Sequence, residues 1–280
     1  MPADSSTEFV RITPRGAGLG YRREMHEALV DHIDDIDVVE ILADQWLGDG
    51  RLRRLREVTQ VFPTVVHGVG LSVAGAGRIP EDYLTAVREV TKACAASFYG
   101  EHLAMTYVPG LDSGHLCPPI ISDESLRTCI RNVDRTQSAL DLPLALENIS
   151  YSLSPGSDHL AAATFFSDLV AATGCLVLLD VTNLYINAKN HGFDPMEYLK
   201  RIPMDRVVQI HLAGGVVLPS GKHIDSHSAT IGAGIWQLAV DVATLCRPSA
   251  VIVERDQNLD DIDTLVREVS MSRDIYFREA

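Results

Sequence analysis

The sequence predicts a single-domain (β/α)8 TIM barrel. Eight short runs rich in β-branched and aliphatic residues alternate with longer stretches of helical spacing. Such alternation implies parallel strands joined by right-handed crossovers. Eight units imply a closed barrel rather than an open sheet, and 280 residues is an ordinary length for one. The alternative, a doubly wound nucleotide-binding sheet, would place a G-x-G-x-x-G turn after its first clear strand. "GAGLG" at 16–20 has the wrong glycine spacing and no good strand before it, so it reads as a tight turn or the first barrel strand.

The strands are expected at 16–21, 38–42, 64–70, 97–103, 144–149, 176–181, 206–212 and 250–255. The sixth holds an unbroken aliphatic run, Leu176 to Leu179, as a strand buried on both faces requires. Between strands, "PEDYLTAVREVTKACAA" opens with Pro80 and two acids, a good first helical turn. "SDESLRTCIRNVDRTQSAL" opens with Ser122 as a cap. "SDHLAAATFFSDLVAATG" stops on Gly174, and "AGIWQLAVDVATLC" stops before Pro248.

Hydrophobic residues make up 46% and charged residues 22%, enough for a large packed core. No apolar run approaches the length needed to cross a bilayer. "MPADSSTEFV" lacks the basic and apolar regions of a secretory signal, so a cytoplasmic location is expected. Residues 1–13 read as a short flexible tail and 14–280 as the catalytic barrel. Five cysteines without a C-x-x-C pair argue against a disulfide framework or a thiolate zinc site. The formal net charge of −14 argues against nucleic acid, whose phosphates call for a basic surface.

Function is legible where the strands end, because barrel chemistry sits at the C-terminal mouth. The second run holds Glu40. The third carries His67, the fourth Glu101 and His102, the fifth Glu147 and Asn148, the sixth Asp180 and then Asn183, the seventh His211, and the eighth Glu254. The loop after the seventh adds His223, Asp225 and His227. One polar residue at a strand end is commonly solvated or caps the next helix. Six consecutive strands ending in His, Asp or Glu are different, because converging buried carboxylates repel unless cations hold them. His67, His102, Glu147, Asp180, His211, Asp225, His227 and Glu254 are therefore candidate metal ligands, with Asn183 and His191 as further candidates. Three or four protein ligands serve one ion, so this set fits two or three, with Glu147 as a bridge. Nitrogen and oxygen donors without cysteine suit iron, manganese or zinc.

The segments "HGVGLSV", "EHLA", "LENIS", "LLDVTNLYINAKNHGFDP", "IHLAGG", "IDSH" and "VERD" occur in this order between about Gly16 and Asp256. They resemble the multinuclear non-haem iron-dependent oxidative enzymes, among them the methanobactin-forming and 3-thiaglutamate-forming peptide oxidases. The resemblance implies two or three irons of mixed valence, held by the residues named above, and dioxygen as co-substrate. It implies a ribosomally made precursor peptide as substrate, often modified at cysteine, and a partner protein that presents the peptide's leader. Asp180, Asn183 and His191 are the expected catalytic group. Asp180 would hold iron tightly, while Asn183 and His191, in the loop that follows, would serve a weaker iron or the substrate. Two departures bear on the substrate. Met105 stands where an aromatic is expected, and "IDSHSATIG" lacks the polar residue that the family pattern leads one to expect after its last histidine.

Two other classes share this kind of ring. A zinc- or manganese-dependent barrel hydrolase or isomerase, related to apurinic endonucleases or sugar isomerases, would use the metals to activate water. A non-catalytic metal-binding barrel would not need so many ligands from separate strands.

Overall fold

The computed structural model describes residues 12–108, 110–152 and 158–278. Residues 1–11 of the expected tail lie outside the described residues. Eight parallel strands close into a barrel: β1 Gly16–Gly20, β2 Val38–Leu42, β3 Thr64–Gly68, β4 Tyr99–His102, β5 Leu144–Glu147, β6 Leu176–Asp180, β7 Val207–Ala213 and β8 Ala250–Glu254. Neighbours in sequence are neighbours in the barrel, and β8 closes on β1 through the register Gly16 to Ala250. Helices such as Glu81–Ala93, Asp123–Leu140 and Ile262–Tyr276 connect the strands or pack outside them. The expected Ser122 cap is present, accepting from the Ser125 N–H at 3.2 Å.

Side-chain alternation with period two explains how the sequence builds a site inside this barrel. Val38, Val65, Phe98, Ala145, Leu176, Leu178, Ala250 and Ile252 belong to one buried apolar cluster that fills the interior. Two residues on from Val38, Val65, Phe98, Ala145, Leu178 and Ile252 come Glu40, His67, Gly100, Glu147, Asp180 and Glu254. The inner face thus changes from apolar to ionisable toward the C-terminal ends of the strands. Strand pairing then sets His102 beside Glu147 and Asp180 beside His211.

Several boundaries differ from the sequence expectation for local reasons. β3 stops at Gly68 because the next free N–H groups are taken by side chains. Val69 N–H donates to Asp44 at 2.9 Å and Leu71 N–H to Glu101 at 3.2 Å. The loop expected after β6 is a helix, Val181–His191. Asp180 caps it by accepting from the Asn183 N–H at 2.7 Å, and Gly192 ends it with φ of +75°. Two small antiparallel hairpins, unexpected from sequence, rise at the mouth. One pairs Met105–Val108 with Leu111–Cys117, and the other pairs Val216–Val217 with His223–Ile224.

Candidate metal centre

Two groups of ligand-type side chains converge at the barrel mouth. His67, His102 and Glu147 form one; Glu147, Asp180, His211 and Glu254 form the other. Within each group, one ligand atom per residue lies within 4.8 Å of all the others. Glu147 belongs to both. Its Oε2 is 3.2 Å from His67 Nε2 and 3.4 Å from His102 Nε2, while its Oε1 is 3.3 Å from His211 Nδ1. His211 Nδ1 also lies 3.2 Å from Glu254 Oε2. Asp225 and His227 stand at the edge, with His227 Nε2 2.9 Å from Asp225 Oδ1 and 3.8 Å from Glu254 Oε2.

These approaches are short but poorly aligned as hydrogen bonds. Glu147 Oε2, Asp180 Oδ2, Asn183 Oδ1, His211 Nδ1, Asp225 Oδ1 and His227 Nε2 are buried atoms without a protein hydrogen-bond partner. Buried polar atoms are rarely left so, and these six, with His67 Nδ1 as a seventh from the same site, call for an explanation. Lone pairs aimed at common points, rather than at one another, are what a cation would use. The residues present therefore fit a metal centre with nitrogen and oxygen donors.

The outer nitrogens of three histidines are already committed, which leaves the other nitrogen facing inward. His102 Nδ1 lies 3.2 Å from the Gly68 carbonyl. His211 Nε2 lies 2.9 Å from Glu40 Oε2. His227 Nδ1 lies 3.1 Å from Asp256 Oδ2, and Asp256 in turn accepts from Arg22 at 2.5 Å. Such outer partners fix the tautomer and orientation of metal-binding histidines. His227 also has φ of +47°, a left-handed conformation unusual for a non-glycine residue and frequent at functional sites. Beside His67 the chain carries Gly100, where a Cβ would come within 2.8 Å of His67 Nδ1. Glycine is the residue that leaves the ring its place.

Without metal, protons do the neutralising. Burial opposes charge on His102, but Glu147 and then Glu101 outweigh it and push its pKa up to about 9. Burial likewise opposes charge on His227, yet Glu254, Asp225 and Asp256 push it up to about 12. Glu147 moves the other way. Its burial is outweighed by His102 and His211, and its pKa falls to about 2. Asp180 is driven well above the usual carboxylate range, first by burial and then by Glu147, Asp225 and Glu254. A cation must displace the protons on His102 and His227. Metal affinity is therefore expected to rise with pH up to about 9, as the His102 proton becomes easier to remove, and to go on rising less steeply above it while His227 still holds its proton. Zinc titration calorimetry in buffers of different ionisation enthalpy would measure this, and a pH-independent affinity with no proton release would refute it.

The structure brings His67, His102, Glu147, Asp180, His211 and Glu254 together, with Asp225 and His227 alongside. Asn183 is buried in the first helical turn after Asp180, and its amide nitrogen donates to the Asn148 carbonyl at 3.2 Å. His191 is not brought to either group. It ends the helix that Asp180 starts, about 16 Å away along the axis. There it stacks on Tyr151 at 4.9 Å and bonds the Tyr151 carbonyl at 3.0 Å. Sequence reading passed over Asp256 and Arg22 altogether, and left Glu40 and Glu101 outside the ligand set. Glu101 is 1% exposed and accepts from the His102 N–H at 2.9 Å. The signal available was position: Glu40 sits mid-strand among aliphatic residues, and Asp256 follows Glu254 by two. All five cysteines are free; Cys94, Cys129, Cys175 and Cys246 are buried, and burial pushes each thiol above its ordinary range.

Fold and site together define a (β/α)8 barrel with a candidate polynuclear metal centre at its mouth. The family described as "RiPP precursor modification enzyme MbnB/TglH/ChrH" matches residues 16–276, and the chain belongs to it. It is 35% identical over 263 residues to a UPF0276 protein of Caulobacter vibrioides, covering 92% of this chain and 93% of that protein. A UPF0276 protein of Bordetella parapertussis is 34% identical over 274 residues, covering 96% and 94%. Among solved structures, a D-tagatose 3-epimerase-like protein superposes with a TM-score of 0.62 at 12% identity, covering 92% of this chain and 98% of that one. Endonuclease IV from Thermus thermophilus gives 0.57 at 16%, with the same coverage. At these identities the structural likeness concerns the fold. Among the described residues no helix is long and apolar enough to cross a membrane.

Proposed function

We propose that the chain is an iron- and dioxygen-dependent oxidase that modifies a ribosomally made precursor peptide, with a partner protein presenting the peptide's leader. The observation that carries the metal part of this reading is the sharing of Glu147 between two donor groups, and membership of the precursor-modification family supports the peptide substrate. A carboxylate with one oxygen toward His67 and His102 and the other toward His211 is placed to hold two cations close together. His67, His102 and Glu147 would hold one iron; Glu147, Asp180, His211 and Glu254 would hold the second. Asp225, His227 and Asn183 offer donors for a third. Bound iron supplies one-electron oxidation and the activation of dioxygen.

The protein's own contribution is placement and electrostatics. Asp256 and the Gly68 carbonyl keep the rings of His227 and His102 oriented, so that part of the donor set is organised before metal arrives. The two hairpins follow the C-terminal ends of β4 and β7, the strands that carry His102 and His211. Met105, where the resemblance leads one to expect an aromatic, is half-buried and packs on the core.

Iron-loaded protein given its precursor peptide is expected to make no product under strict anaerobiosis and to make it on admission of air. The mass change of the peptide reads the outcome. Product formed equally well without oxygen, by zinc- or manganese-loaded protein, would move the chain to hydrolytic or isomerising chemistry.

A further inference from the structure

A further buried carboxylate reaches the centre from across the barrel. Glu40, in the middle of β2, is 4% exposed. Its Oε2 lies 2.9 Å from His211 Nε2 and accepts from the Gln209 amide at 2.5 Å. β2 and β7 are not adjacent, since β1 and β8 lie between them, so this contact crosses the interior. His211 is fully buried, and its other nitrogen faces Glu147 and Glu254 at 3.3 and 3.2 Å. A further buried acid beside two others is costly unless it has a definite partner. Here the partner is the outer face of a candidate ligand.

We propose that Glu40 is a positioning residue of the metal centre: it accepts the Nε2–H hydrogen bond of His211 and so turns Nδ1 toward Glu147 and Glu254. This rests on reading the cluster as a metal site. A cation on Nδ1 draws electron density from the ring and makes the Nε2–H more acidic. A carboxylate on that hydrogen stabilises the polarised ring more than a neutral acceptor does. The effect is local. His211 belongs to the group with Asp180 and Glu254, whereas in the other group His102 turns its outer nitrogen to the Gly68 carbonyl at 3.2 Å, with the Glu101 carboxylate 3.5 Å away. Gln209 donates to Glu40 and holds it in place. The competing arrangement has Gln209 donate to His211 Nε2, 2.7 Å away, which would put the ring proton on Nδ1 and aim it at the centre.

The two arrangements differ in measurable ways. In wild-type protein carrying 15N-labelled histidine and loaded with zinc, His211 is expected to hold its proton on Nε2 and the metal on Nδ1. His102 and His227 should show the reverse. Separately, cobalt titration of Glu40→Gln, followed by visible absorption, is expected to show one ion per chain weakened about 10- to 100-fold and the other unchanged. Glu40→Asp, which keeps the charge, should recover part of the loss. Circular dichroism of the metal-free variants separates this from misfolding, and the wild-type spectrum stands even if a variant fails to fold. Glu40→Gln binding both ions as tightly as wild type, or a His211 proton on Nδ1, overturns the role. Failure of the wild-type chain to bind zinc or cobalt at all overturns the metal centre itself.

Discussion

Glu147→Gln is expected to empty both metal groups at once, where His102→Ala empties one. Glu147 is the single residue common to both, and glutamine keeps its size while removing the charge. Loss of a shared anionic ligand should weaken each ion by more than about 100-fold, the upper end of what an outer partner alone contributes. The metal-free fold should survive at a cost. Glu147 is paired with imidazoles in the metal-free state, and stripping a buried pair of one partner costs about 3–5 kcal/mol when the other stays charged. His102 has an escape: without Glu147 its pKa falls from about 9 toward its ordinary value and it sheds its proton, and what is lost at pH 7 is the stability the raised pKa contributed, about 3 kcal/mol. Proton release is the cheaper course, so the destabilisation should be about 3 kcal/mol, or roughly a 6–12 °C lower Tm. Elemental analysis against thermal unfolding reads both. A Glu147→Gln protein that keeps one tightly bound ion would show that the two groups do not share this carboxylate.

The barrel and most of its site were readable from the chain because both rest on local periodicity. β2 falls where expected, at Val38–Leu42, since "VVEIL" is β-branched and apolar apart from its one acid. The ligand candidates were readable because each sits at the end of such a run and the fold brings run ends together. What could not be read were contacts between elements distant in sequence. Nothing near Glu40 announces His211, 171 positions away. Nothing near Arg22 announces Asp256, 234 positions away. The helix after Asp180 was misread as a loop for a different reason. Its sequence, "VTNLYINAKNH", has β-branched residues and asparagines that favour helices weakly. Asp180 at one end and Gly192 at the other decide the matter. That helix also changes the reading of His191, which a flexible loop would have let approach the two donor groups and the helix holds away.

Asp180 separates its two duties when asparagine and alanine are compared. One oxygen caps the helix through the Asn183 N–H at 2.7 Å, and the other, Oδ2, is buried without a protein partner. Asparagine retains a capping oxygen but cannot carry charge; alanine retains neither. In the metal-free protein, burial and the neighbouring acids hold the Asp180 carboxyl well above its usual range. An acid whose folded pKa is raised costs stability once pH exceeds its unfolded pKa, about 4, because the unfolded chain ionises and the folded one does not. Asparagine has no such cost. Metal-free Asp180→Asn is therefore expected to be at least as stable as wild type at pH 7. Asp180→Ala should be less stable than Asp180→Asn by about 1 kcal/mol, the worth of the lost cap. Both variants should lose the ion held with His211 and Glu254, because neither supplies an anionic oxygen there. Thermal unfolding of chelator-treated protein and zinc stoichiometry after reloading give the two readouts. Full zinc retention by Asp180→Asn would remove Asp180 from the ligand set. Equal stability of the asparagine and alanine variants would mean that the carboxylate serves only the metal and that the helix stands without its cap.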